Sequence, residues 1–111
     1  MEIEIAIETT DPQLIADLLE TTSSNFQIGS QVTVADGATL TLQNINRRRS
    51  LGAMPEIITL GLSLSTSVAT NLVSTWLYEK LKGRASGLRV DRKKIPIDSE
   101  EIEKNIQQKN V

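Results

Sequence analysis

Residues 55–82, PEIITLGLSLSTSVATNLVSTWLYEKLK, decide how the rest of the chain is read. Between Glu56 and Glu79 lie 22 residues without a charge, of which twelve are apolar, nine are Thr, Ser or Asn, and one is Gly61. An uncharged run of this length raises the question of a membrane span, but so many hydroxyl and amide side chains suit a bilayer poorly. Gly61, Ser65 and Ala69 fall four apart, a spacing that on a helix lets another backbone approach closely. Val68, Ala69, Leu72, Val73, Trp76, Leu77 and Leu81 form a wide stripe at helical period, and Lys80, Lys82 and Gly83 supply a C-terminus. The segment is therefore expected to be one long apolar helix packed on a sheet, with membrane contact or a helical assembly face as the alternatives.

Upstream, Ile3, Ile5 and Ile7 alternate with Glu2, Glu4 and Glu8, the period of a half-buried strand with one acidic face. Such a face can meet cations or a basic partner, or simply remain solvated and discourage edge pairing. Asp11-Pro12 opens a helix whose apolar stripe is Leu14, Ile15, Leu18 and Leu19. Val32 and Val34, then Asp36-Gly37, then Leu40 and Leu42 read as a β-hairpin, with Phe26 and Ile28 anchoring the loop before it. Asn44 to Met54 reads as a connection containing Arg47, Arg48 and Arg49.

Downstream of the long segment, Gly83 to Gly87 reads as a linker and Leu88 with Val90 as a strand. The basic turn Asp91-Arg92-Lys93-Lys94 leads to an edge strand at Ile95-Pro96-Ile97, because Pro96 has no N–H for a ladder. Asp98 with Glu101 three residues on resembles a capping box, and Ile102 with Ile106 marks one face of a short, lightly docked helix frayed at 108–111. The order strand, helix, hairpin, long helix, hairpin, short helix predicts an α+β domain. Its first six elements match the βαββαβ order of a ferredoxin-like sandwich, with the C-terminal helix added.

Composition bounds what this domain can do. At 111 residues the chain fits one domain, 1–111, able to bury roughly 65% of its unfolded surface. Aromatic residues make up only 3%, so the core is aliphatic. The absence of His and Cys removes the usual zinc sites, thiol chemistry, disulfides and the Ser-His-Asp triad. No Ser-x-x-Lys, G-x-G-x-x-G or P-loop occurs, and the carboxylates Asp98, Glu100, Glu101 and Glu103 have a simpler role at a helix N-terminus. No enzymatic activity and no cofactor are expected. Arg47–Arg49 with Arg89, Arg92, Lys93 and Lys94 offer phosphate contacts, but a net charge of −2 and so few aromatics argue against nucleic acid. The acidic N-terminus lacks the basic-then-apolar pattern of an export signal, so a cytoplasmic location is the default.

Taken together, the opening MEIEIAI strand, the Asp-Pro helix, Leu51-Gly52-Ala53-Met54 before a small-residue-rich apolar segment ending in Trp76-Leu77, and an Asp-capped final helix form a familiar pattern. The chain resembles the effector-associated constant component family of small bacterial domains. That resemblance implies a non-enzymatic module of bacterial conflict and immunity systems, working beside effectors, including peptidase-type ones, or adaptors. Expected contact residues are Arg47, Arg48 and Arg49, together with Gly61, Ser65 and Ala69 if they form an interface, including one between copies of the chain. The alternative function is a membrane-active protein that inserts residues 57–78, with Lys80, Lys82 and Arg84 meeting anionic headgroups.

Overall fold

The computed structural model describes residues 2–11, 13–20, 27–46, 56–65 and 70–109. Among the described residues nine elements follow one another: β1 (Glu2–Thr9), α1 (Leu14–Leu18), β2 (Gln31–Ala35), β3 (Ala38–Asn46), β4 (Glu56–Leu64), α2 (Thr70–Leu81), β5 (Ala85–Val90), β6 (Lys93–Ile95) and α3 (Ser99–Lys109). The strands form one six-stranded sheet, ordered β2-β3-β4-β1-β5-β6, with every pairing antiparallel. The fold is α+β.

Strand β1 sits inside the sheet because both of its edges are paired, Ile5 lying opposite Leu60 on one side and Val90 on the other. Its alternation sorts Ile3, Ile5 and Ile7 onto the face where the helices pack. All three are fully buried in a single cluster with Leu14, Ile15 and Leu18 of α1, Val73, Leu77 and Leu81 of α2, and Ile102 and Ile106 of α3. Each such aliphatic side chain contributes about 1.5–3 kcal/mol by leaving water. Helix α2 packs against both other helices, and α3 also touches β5.

The expected long helix is corrected. Its first third is β4, a strand paired on both edges, and among the described residues of the segment the helix is Thr70–Leu81; residues 66–69 lie outside the described residues. The physical reason is a period of two: Ile58, Leu60, Leu62 and Leu64 are buried, while Thr59, Gly61 and Ser63 point to the other face. A strand between two others needs no charge of its own, so the lack of charge was no mark of a helix. The four-residue spacing of Gly61, Ser65 and Ala69 has no helix to act on: Gly61 is in β4, Ser65 follows it, and Ala69 lies outside the described residues.

Smaller expectations fare differently. The hairpin turn forms at Asp36-Gly37, with Gly37 at φ 82°. Helix α1 buries the expected Leu14, Ile15 and Leu18, with buried Leu19 just past its end, but holds only five residues; its N-cap is Gln13 and not Asp11, which accepts the Gln13 N–H at 2.9 Å in the turn before the helix. Ile28 is 63% exposed and anchors nothing, while Phe26 lies outside the described residues. Residues 85–87 of the expected linker belong to β5. Pro96 ends β6 instead of lying within it. Helix α3 runs to Lys109 and docks firmly, since both its isoleucines are fully buried. Asp98 accepts the Glu100 N–H at 2.8 Å.

Candidate functional site: the open face of the sheet

The strand residues of opposite parity make the second face. On β1 these are Glu2, Glu4, Ala6 and Glu8; opposite them on β4 lie Ser63, Gly61, Thr59 and Ile57. Strand β3 adds Thr39 and Thr41, and β2 adds Thr33 and Gln31 in register with them. On the other side of β1, Arg89 of β5 stands opposite Ala6, and Lys94 of β6 stands opposite Arg89. No described helix covers these positions, which range from half-buried to exposed apart from the two glycines, Gly61 and Gly87.

The charges on this face form a pattern. Three carboxylates run along β1, hydroxyl and amide side chains occupy β2, β3 and β4, and the two cations stand on β5 and β6. Arg89 Nη2 lies 3.8 Å from Glu8 Oε1 with half its side chain exposed, a loose ion pair worth about 0–1 kcal/mol. Gln43 Nε2 donates to Glu2 Oε1 at 2.9 Å, and the two side chains meet above Gly61. A Cβ on Gly61 would come within 2.5 Å of that Gln43 nitrogen, so glycine leaves the room this bridge occupies. Glu8 lies over Gly87 in the same way, its carboxylate 3.1 Å from where a Cβ would stand.

At the β5–β6 margin a shallow depression of about 390 Å³ is lined by Ser86, Gly87, Lys94, Ile95, Pro96 and Ile97. Ser86 is the bulged residue of the β1–β5 ladder, skipped between the pairs Glu8–Gly87 and Thr9–Ala85, and its Oγ donates to the Glu8 carbonyl at 3.3 Å.

A second polar cluster ties the end of β1 to the turn before β5. Thr9 Oγ1 donates to the Arg84 carbonyl at 2.6 Å and accepts the Asp11 N–H at 3.0 Å. Arg84 Nε donates to Asp11 Oδ2 at 2.6 Å, and Arg84 Nη1 donates to Asp17 Oδ2. The Arg84 guanidinium, with the Gln13 N–H, holds the Asp11 carboxyl below its ordinary value, and the two carboxylates raise that of Arg84. The cluster braces the fold by tying Arg84 to Asp11 and Asp17. The headgroup contact suggested for Arg84 by its position after the uncharged run would compete with these two pairs. Lys80 and Lys82 lie over the Trp76 and Tyr78 rings at 5.5 and 5.7 Å.

Of the residues singled out from sequence, Gly61 lies within the open face, and Ser65 stands at the end of β4 with its N–H donating to the Gly37 carbonyl at 2.8 Å. Arg47, Arg48, Arg49 and Ala69 lie outside the described residues. The acidic column on β1 was visible in the alternation of residues 2–8. The Thr and Gln columns beside it were missed, and the signal for them was the same alternation at Thr39/Thr41 and Thr59/Ser63. Among the described residues no three acidic side chains are gathered as a cation site would need. What the face offers is an array of hydrogen-bonding groups with carboxylates along its middle strand.

No family model matches the chain, and neither the curated proteins nor the solved structures compared with it give a match.

Proposed function

We propose that the chain is a non-enzymatic interaction module acting with effector or adaptor components of a bacterial defence system, in the cytoplasm, as its resemblance to the effector-associated constant component family implies. The observation that carries this reading is the open face: every described helix is spent on one side of the sheet, and the other side presents ordered polar groups and carboxylates. A sheet face of this kind recognises a partner by complementary charge and hydrogen bonding rather than by apolar burial. The basic patch it fits belongs to an effector or adaptor surface.

The architecture is read as ferredoxin-like with additions. Setting aside β2 and β6 leaves β3-β4-β1-β5, in which α2 connects β4 to β5 across β1, the split βαβ arrangement. The membrane alternative asks more of this molecule. Inserting residues 57–78 means pulling β4 from between β3 and β1, and no helix among the described residues is long and apolar enough to cross a bilayer. Liposome co-sedimentation with and without anionic lipid reads that alternative directly.

The test of the leading reading is quantitative co-purification from the source cells, comparing the tagged wild type with Glu4→Lys/Glu8→Lys. An effector or adaptor recovered with the wild type and lost with the folded variant is the expected result. Recovery that is equal for both proteins removes the open face from the account, and recovery of no such component from either removes the module reading itself.

A further inference from the structure

The two margins of the sheet are built differently. Strand β6 carries the devices that stop a sheet from growing: it is three residues long, bears Lys93 and Lys94, and ends at Pro96. Strand β2 has neither lysine nor proline. Its residues Gln31-Val32-Thr33-Val34-Ala35 include no charge, and three of them in a row are β-branched. The one irregularity, at Val34, falls at the hairpin end and leaves residues 31–33 in regular register.

The ladder fixes which backbone groups face outward. The Leu42 N–H donates to the Ser30 carbonyl and the Leu42 carbonyl accepts the Gly29 N–H, both at 2.8 Å, so Leu42 turns its backbone toward β2. Backbone groups alternate sides along a strand, so Leu40 bonds with its partner Val32, and Gln31 and Thr33 turn their N–H and C=O away from β3. Among the described residues nothing pairs with these two donors and two acceptors. Exposed apolar side chains occur on the segments that adjoin this margin. Among the described residues the exposed large hydrophobics are Ile28, at 63%, and Leu72, at 57%. Ile28 lies three residues before β2, and Leu72 is on α2, which packs against β2.

We propose that the β2 margin is a self-association surface, taken by β2 of a second copy of this chain in antiparallel pairing. This inference stands independently of the role proposed above. A two-fold axis at Val32 sets Gln31 of one copy opposite Thr33 of the other, and both pairs then exchange N–H···O=C bonds. Because β2 is uncharged, two copies meet there without like-charge repulsion, whereas β6 would bring lysine against lysine. The parity also continues: Gln31 and Thr33 extend the open face, and Val32 meets Val32 on the helix side. A strand this short buries less than the roughly 1,200 Å² of a stable interface, so the dimer depends on concentration.

Sedimentation velocity over a range of protein concentrations tests this. The wild type is expected to pass from monomer to dimer. Thr33→Pro removes only an outward N–H, so it is expected to stay monomeric with the melting temperature of the dilute wild type. Should proline unfold the chain, the double variant Gln31→Lys/Thr33→Lys keeps the backbone donors, sets like charges directly opposite one another across the two-fold axis, and is expected to weaken the dimer about tenfold or more. Leu72→Lys is expected to weaken it as well, and Lys94→Ala, at the other margin, to leave it unchanged. A wild type that remains monomeric throughout overturns the proposal. So does a dimer that folded Thr33→Pro or Gln31→Lys/Thr33→Lys forms as tightly as the wild type.

Discussion

The two faces of the sheet are written by the same strands and obey opposite rules. On the helix side, Ile3, Ile5, Ile7, Ile58, Leu60 and Leu62 are fully buried and depend on close packing. On the open side, Glu2, Glu4, Thr59 and Ser63 stand one residue away along the same backbones and range from half-buried to exposed. Neighbouring positions therefore differ in what they carry: one parity holds the fold, and the other lies outside the core packing. Substitutions are expected to separate along that parity.

The largest contrast comes from truncating the closed face. Ile5→Ala or Leu60→Ala leaves a cavity in a fully buried cluster and is expected to cost about 2–5 kcal/mol in denaturant unfolding. Glu4→Gln, the residue before Ile5, is expected to change stability by no more than about 0.5 kcal/mol. Equal costs at both positions would break the comparison.

The Arg84 cluster is next in size. Arg84→Met is expected to lower the melting temperature by about 2–6 °C at neutral pH. The Asp11 carboxyl is held below its ordinary value of 3.8, so its pairing stabilises the fold fully above that value and is lost as pH falls beneath it. The gap between wild type and Arg84→Met is therefore expected to narrow as pH falls from about 5 toward 2. A constant gap across that range would mean that Arg84 acts through packing alone.

Gly61→Ala sharpens the contrast at a single site on the open face. The new methyl group meets the ends of Gln43 and Glu2, flexible side chains that can swing into solvent. Loss of their bridge is offset by removing glycine from a strand, so stability is expected to stay within about 0.5 kcal/mol of wild type. Smallest of all, Arg89→Ala loses one loose surface pair and is expected to leave the melting temperature unchanged in physiological salt.

Much of this division was legible in the residues. Ile3, Ile5 and Ile7 against Glu2, Glu4 and Glu8 announced both faces of β1, and Asp36-Gly37 and Asp91-Arg92 marked the two hairpin turns. Strand β4 was not legible, because two periods overlap in Ile58-Thr59-Leu60-Gly61-Leu62-Ser63-Leu64. Its alternation is strict, but Gly61 and Ser65 also fit a helical spacing, and the uncharged run continues into the true helix α2. The glycine at 61 leaves room for Gln43 and Glu2, which reach across from the flanking strands to cover it, a fact that lies in the pairing and not in β4. For the same reason the candidate site was visible only where a single strand carried it. The face as a whole is assembled by register between residues far apart in the chain, such as Glu2 with Ser63 and Ala6 with Arg89.

Carboxyl footprinting of β1 tests most directly whether the open face is where this molecule meets its partner. Labelling is to be compared between the free chain and the chain bound to the effector or adaptor recovered by co-purification. The account expects Glu2, Glu4 and Glu8 to label readily in the free protein and to become protected in the complex, while Glu100 on α3 labels equally in both. Protection of Glu100 with β1 unchanged, or β1 carboxylates already shielded in the free chain, would contradict it.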